Sequence, residues 1–227
     1  MKKFIICMLT ITSIILLAGC SFPGQRINVT NGTNSTKEAI ESITKSNPTD
    51  NITTSGAVAE NGRLIVFAKN KNNYAISLDI EVEFYDESGS IIGSGKDSLN
   101  GVGAKSDVAV EIYETPESFA TYKIYADAVK ENYKTFKDEL EVVDNNNGEN
   151  IVVQVKNNSS DSIDWISVSV VYYKGDTPVG ISDSLESDTK PGRSANFNIY
   201  YAYTKDYDEV SFDSYKVFVN EAYSYNY

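Results

Sequence analysis

The 227-residue chain contains no histidine, only two cysteines, one tryptophan and five prolines. Without an imidazole there is no Ser-His-Asp triad, no Cys-His nucleophile pair and no histidine-bearing zinc site. Both cysteines, Cys7 and Cys20, fall within the first twenty residues, so no disulfide can staple the rest. Positive charge is also scarce: 20 Lys and Arg stand against 32 Asp and Glu, a formal net charge of −12. That sign argues against nucleic acid and anionic headgroups as partners of the folded part, because each demands a basic face. Gly89, Gly93, Gly95, Gly101 and Gly103 follow strand and turn spacing rather than a strand-to-helix phosphate loop, so no cofactor is implied.

What is present begins with Lys2 and Lys3, an apolar run from Phe4 to Leu17, and then small residues. A charged start before an apolar stretch of roughly 7–15 residues is a secretory leader, too short for a membrane span of about 20. Leu17-Ala18-Gly19-Cys20 resembles the bacterial lipobox. That resemblance implies a signal peptide over 1–19, cleavage before Cys20 and lipid attachment at its sulfur. Several acyl chains on one residue would anchor the protein to the outer face of the cytoplasmic membrane in a bacterial envelope. Residues 20–55 are rich in Asn, Thr, Ser and Gly and read as a flexible, disordered tether. Within it, Ser35-Thr36-Lys37-Glu38 has capping-box spacing ahead of a short amphipathic stretch ending at Lys45. Asn-X-Ser/Thr triplets at Asn28, Asn31, Asn34, Asn51, Asn157 and Asn158 read as linker and turn composition rather than glycosylation sites.

The remainder repeats itself. Leu78-Asp79-Ile80-Glu81-Val82-Glu83-Phe84-Tyr85 matches Ile166-Ser167-Val168-Ser169-Val170-Val171-Tyr172-Tyr173, and Ser118 to Tyr125 matches Ser211 to Phe218. Asp97-Ser98-Leu99 is expected to match Asp183-Ser184-Leu185. Each copy opens with Asn-Gly, at Asn61-Gly62 and Asn147-Gly148, which predicts a type I′ hairpin turn before Leu64-Ile65-Val66-Phe67 and Ile151-Val152-Val153-Gln154-Val155. Period-two alternation and frequent turn signals, with no long helical period, predict an all-β chain. The expected organisation is two tandem immunoglobulin-like β-sandwich domains of about six or seven strands each, over residues 56–132 and 138–227.

Val82-Glu83-Phe84-Tyr85-Asp86 followed by Gly89 and Ile91-Ile92-Gly93 resembles the signature of the FxLYD domain, with Val82 in place of the leading aromatic. In the second copy Val170-Val171-Tyr172-Tyr173-Lys174 and Val179-Gly180 lack both that aromatic and the aspartate. Lys190-Pro191-Gly192-Arg193-Ser194 keeps the turn into the next strand. The resemblance implies an immunoglobulin-like module of bacterial surface lipoproteins, and supports fold more than function.

Candidate chemistry is sparse. Asp183, Glu186 and Asp188, or Asp206, Asp208 and Glu209, could supply a glycosidase pair or bind calcium, but they sit in predicted loops without signs of burial. Asp144-Asn145-Asn146-Asn147-Gly148 lacks the sixth-position glycine of an EF-hand and reads as a hairpin. Ser42-Ile43-Thr44-Lys45 has serine–lysine spacing but lies in the tether. If Ile166, Val168, Val170 and Tyr172 face the core, Trp165, Val171 and Tyr173 lie on the opposite face. They pack there beneath the first copy or a loop, or else form an exposed surface for an envelope protein or glycan. Tyr200, Tyr201, Tyr203 and Tyr207, with Tyr223, Tyr225 and Tyr227, form a second aromatic group. The expected function is a non-enzymatic binding or structural lipoprotein of the envelope. A carbohydrate-binding or carbohydrate-active surface protein is the alternative.

Overall fold

A computed structural model describes residues 27–29 and 47–225. Cys20, the capping-box stretch, Asn31, Asn34, Ser42, Lys45 and Tyr227 lie outside the described residues. The chain is all-β, with antiparallel sheets and no α-helix among the described residues. Its strands are β1 (Ile27–Val29), β2 (Ile52–Val58), β3 (Leu64–Asn70), β4 (Ile76–Tyr85), β5 (Ile91–Val102), β6 (Asp107–Ile112) and β7 (Thr121–Lys130). They continue as β8 (Lys134–Thr135), β9 (Leu140–Asn146), β10 (Asn150–Asn157), β11 (Ile163–Lys174), β12 (Thr177–Thr189), β13 (Ser194–Tyr200) and β14 (Ser214–Ser224).

The strand order is duplicated. In the first half a sheet β2-β3-β6 faces a sheet β1-β7-β4-β5; in the second, β9-β10-β13 faces β8-β14-β11-β12. The alternation seen in the sequence builds both cores. Leu64, Val66, Ile80, Val82, Phe84 and Ile124 close the first, and Val153, Val155, Val168, Val170, Tyr172 and Phe197 close the second. Each such side chain, fully withdrawn from water, contributes about 1.5–3 kcal/mol. Ile52, only 4% exposed, belongs to the first core, so the strand begins inside the stretch read as tether. Phe136, between the repeats, is fully buried in the second core and ties the connection to it.

A buried asparagine recurs at the same place in each half. Asn70 Nδ2 donates to the carbonyls of Tyr74 and Gly103, at 3.0 and 2.8 Å. Asn157 Nδ2 donates to those of Asp161 and Thr189, at 2.7 and 3.0 Å. Each side-chain oxygen accepts the amide two residues on, Asn72 or Ser159, both at 2.9 Å. A single amide thus pins a turn to the end of a facing strand. Asn157 is fully buried, so its triplet is a structural turn.

Two local expectations are corrected. Only Gly62 and Gly148 take positive φ in the two Asn-Gly turns, 83° and 93°, whereas a type I′ turn needs it at both central positions. In the first turn the Gly62 N–H donates to the Ala59 carbonyl and the Ala59 N–H to the Arg63 carbonyl, closing a longer loop on a left-handed glycine. The match of Leu99 with Leu185 also slips by one. Leu99 pairs with Leu78 and is 6% exposed, whereas Ile166, the counterpart of Leu78, pairs with Glu186 and leaves Leu185 52% exposed.

Candidate functional site

The two halves are not separate beads. A third apolar cluster joins Ala59, Ile65 and Ala109 of the first half to Val171, Ile181 and Phe218 of the second, with Phe67 and Tyr173 packed against it. The outer face of β2-β3-β6 therefore lies on the outer face of β12-β11-β14, and the four sheets form one stack. Phe67 and Phe218 meet at 6.0 Å between ring centroids.

The stripe containing Trp165, Val171 and Tyr173 accordingly faces the first half, with Val171 and Tyr173 in the shared apolar cluster and Trp165 beside it. Val171 is fully buried, and Trp165 and Tyr173 are partly covered. Burial pushes the Tyr173 phenol above its ordinary value. Trp165 Nε1 donates to Glu221 at 3.2 Å.

A β-bulge builds the polar part of the junction. Ser167 pairs with Glu221 and Val168 with Val219, which leaves Asn220 as the extra residue of β14. The bulge aims two side chains at the first half. Asn220 accepts from the Ala109 N–H at 3.0 Å and donates to the Ala109 carbonyl at 2.9 Å and to Ser169 Oγ at 2.7 Å. Since β6 is an edge strand, the Asn220 amide supplies what a neighbouring strand would supply and closes that edge. Glu221 accepts from the Asn100 N–H at 2.6 Å and from Ser167 Oγ at 2.8 Å. Nearby, Tyr223 is buried against Gly101, whose φ is +62° and where a Cβ would stand 2.6 Å from the tyrosine.

Beside this junction the halves leave an open cleft of about 970 Å³. Its first wall is the Asn61-Gly62-Arg63 turn with the end of β6; its second is β12 with the end of β13 and the loop that follows. Arg63 is fixed: its guanidinium donates to Glu111 at 2.8 Å and stands 4.8 Å from the Tyr113 ring centroid. The other Glu111 oxygen accepts from Asn61 at 2.8 Å. Tyr113 reaches across to Asp183 at 3.4 Å. Burial first, and then the Asp183 and Glu111 carboxylates, raise its phenol above the ordinary value, so its hydroxyl stays protonated and donates.

The cleft gathers most of one predicted aromatic group. Tyr200, Tyr201, Tyr203 and Tyr207 line it with Tyr113. Tyr201 is held by an edge-on contact with Phe212 at 5.1 Å, while Tyr113, Tyr200, Tyr203 and Tyr207 are 59%, 66%, 49% and 87% exposed. Tyr223 and Tyr225 lie elsewhere, in a ring cluster with Tyr133.

The predicted acidic groups do not converge. Among them Asp183 alone lines the cleft; Glu186, Asp206, Asp208 and Glu209 are exposed, and Asp188 pairs with Lys190 at 2.6 Å. No cluster of three or more metal-ligating side chains occurs among the described residues. The residues that sequence reasoning missed are Ile65, Phe67, Tyr113 and the bulged Asn220. A signal existed for the first two, because Leu64-Ile65-Val66-Phe67-Ala68 is apolar on both faces of one strand. No protein-family model matches the chain, and a comparison with curated proteins finds no match.

Proposed function

We propose that this chain is a non-enzymatic binding protein of the bacterial envelope, lipid-anchored through Cys20 and held on the outer face of the cytoplasmic membrane. In this reading its two halves are tandem immunoglobulin-like sandwiches of FxLYD type. They are fused face to face so that their shared cleft, and neither half alone, meets the ligand. The observation that carries the reading is the grouping of four exposed tyrosines around one cleft built by both halves. Exposed tyrosine offers a large rigid ring and a polar edge at low cost in side-chain entropy, a combination characteristic of binding surfaces. The alternative of a carbohydrate-active enzyme is less well supported. Glu111 has both oxygens engaged by Asn61 and Arg63, and Asp183 accepts from Tyr113.

Crosslinking pull-down from intact envelopes tests the proposal. The full-length chain is expected to fractionate with membranes and to capture an envelope component, Cys20→Ser to release it from the membrane fraction, and Tyr200→Ala with Tyr203→Ala to lose the capture. Membrane retention of Cys20→Ser, or undiminished capture by the tyrosine variant, would contradict it.

A further inference from the structure

The cleft has a chemical character that narrows its ligand. Tyr207 stands at the tip of a turn in which Thr204 N–H donates to the Asp208 carbonyl, and its φ is +65°. A bulky residue in the left-handed region is unfavourable, and here the ring gains no burial in return, being 87% exposed. Folding alone does not account for an aromatic at this position. Opposite, the end of the Lys205 side chain reaches over Gly62, whose φ is +83° and where a Cβ would stand 2.1 Å from Lys205 Cε. The turn that carries Tyr207 is thereby set directly across the cleft from the Asn61-Gly62-Arg63 turn.

The charges lining the cleft carry no positive excess: Arg63 and Lys205 stand against Glu111, Glu117 and Asp183. Arg63 is bound to Glu111, and the chain as a whole carries −12, which repels polyanions. Neutral hydroxyls and amides line the walls, among them Ser182, Ser184, Asn198 and Thr204. Flat rings with polar edges, neutral hydrogen-bonding groups and an open trough at the upper end of the usual ligand-pocket volume suit a ligand with apolar C–H faces and a hydroxyl rim. We infer that the cleft binds an uncharged polysaccharide chain, its sugar faces stacked on the exposed tyrosines and its hydroxyls paired along the walls. This rests on the proposed role of the cleft and specifies its ligand.

Isothermal titration of the full-length chain in detergent, with chitohexaose, cellohexaose and maltohexaose as probes, tests the inference. At least one neutral hexasaccharide is expected to bind, with polygalacturonate failing to compete. Tyr200→Ala with Tyr203→Ala should weaken that binding about tenfold or more. Tyr207→Gly keeps the loop foldable because glycine accepts the left-handed conformation without strain. It should unfold at the same temperature as the parent or higher while binding the sugar less tightly. Absence of binding to all three neutral probes, equal affinity in the tyrosine variants, or preference for the polyuronate would overturn the inference. Tyrosine-dependent capture of an envelope protein without any affinity for the three sugars would overturn it too, yet leave the proposed function standing; loss of all capture by the parent chain would remove both.

Discussion

The outer face of β4 and the outer face of β11 occupy the same place in two halves of identical strand order, yet they meet different surroundings. On β4 that face carries Ser77, Asp79, Glu81, Glu83 and Tyr85, and Glu83 accepts from the hydroxyls of Tyr85 and Tyr125. On β11 the same phase carries Trp165, Ser167, Ser169, Val171 and Tyr173 and lies against the first half. The three-stranded sheets differ in the opposite sense. Ile65 and Phe67 on β3 enter the junction, whereas Gln154 on β10 is exposed and its side chain donates to the neighbouring Asn196 at 2.9 Å. Each half therefore buries a different one of its two outer faces. The strand order is shared, and the outward residues decide which face docks.

The largest test of this contrast is a charge placed at the junction. Val171→Asp would leave a buried carboxylate without a partner and should cost on the order of 3–5 kcal/mol in urea denaturation. Glu83 already occupies the equivalent position of the first half as a carboxylate. A loss below about 1 kcal/mol would mean that the Val171 face is open to water.

Next in size is Asn220→Ala. It strands the N–H and carbonyl of Ala109 and the Ser169 hydroxyl, and should cost about 1–3 kcal/mol in the same measurement. The first half has no bulge at the corresponding point of β7, where the pairing with β4 runs unbroken from Thr121 to Lys130. A neutral outcome would show that the bulge does not contribute to docking.

A smaller effect is expected at Asp97. Burial, followed by repulsion from Glu221, Asp183 and Glu114, raises its carboxyl above the ordinary value of 3.8. The folded chain then retains a proton where the unfolded chain has released it, so this group costs stability as pH rises from 3.8 through the raised value. Asp97→Asn should unfold at a higher temperature than the parent at pH 7 and lose that advantage below pH 3.8. Thermal scans across this range check it, and an equal advantage at both ends would point to a cause other than titration. Smallest of all, Asp79→Ala on the solvated counterpart face should stay within about 0.5 kcal/mol of the parent in urea denaturation.

Much of the fold was legible because alternation at period two is strong in both copies. Leu78, Ile80, Val82 and Phe84, and their partners Ile166, Val168, Val170 and Tyr172, point inward as the pattern requires. Turn type was less legible, since Asn61 and Asn147 tolerate positive φ without being obliged to take it. The match of Leu99 with Leu185 misled because similarity of letters outweighed the pairing with β4 and β11, which sets the register. The cleft was visible only as a cluster of tyrosines near residues 200–207. Its opposite wall, with Tyr113 and Arg63, comes from parts of the chain about 90 and about 140 residues away, brought there by the docking of the two halves.

Amide hydrogen exchange at Ala109 tests that docking most directly. An outward N–H on an edge strand exchanges readily when only water covers it. With the Asn220 side chain bonded to it, the Ala109 amide should be strongly protected in the full chain and lose that protection in Asn220→Ala. Rapid exchange at Ala109 in the parent protein would mean that the halves do not stay together and that no shared cleft exists.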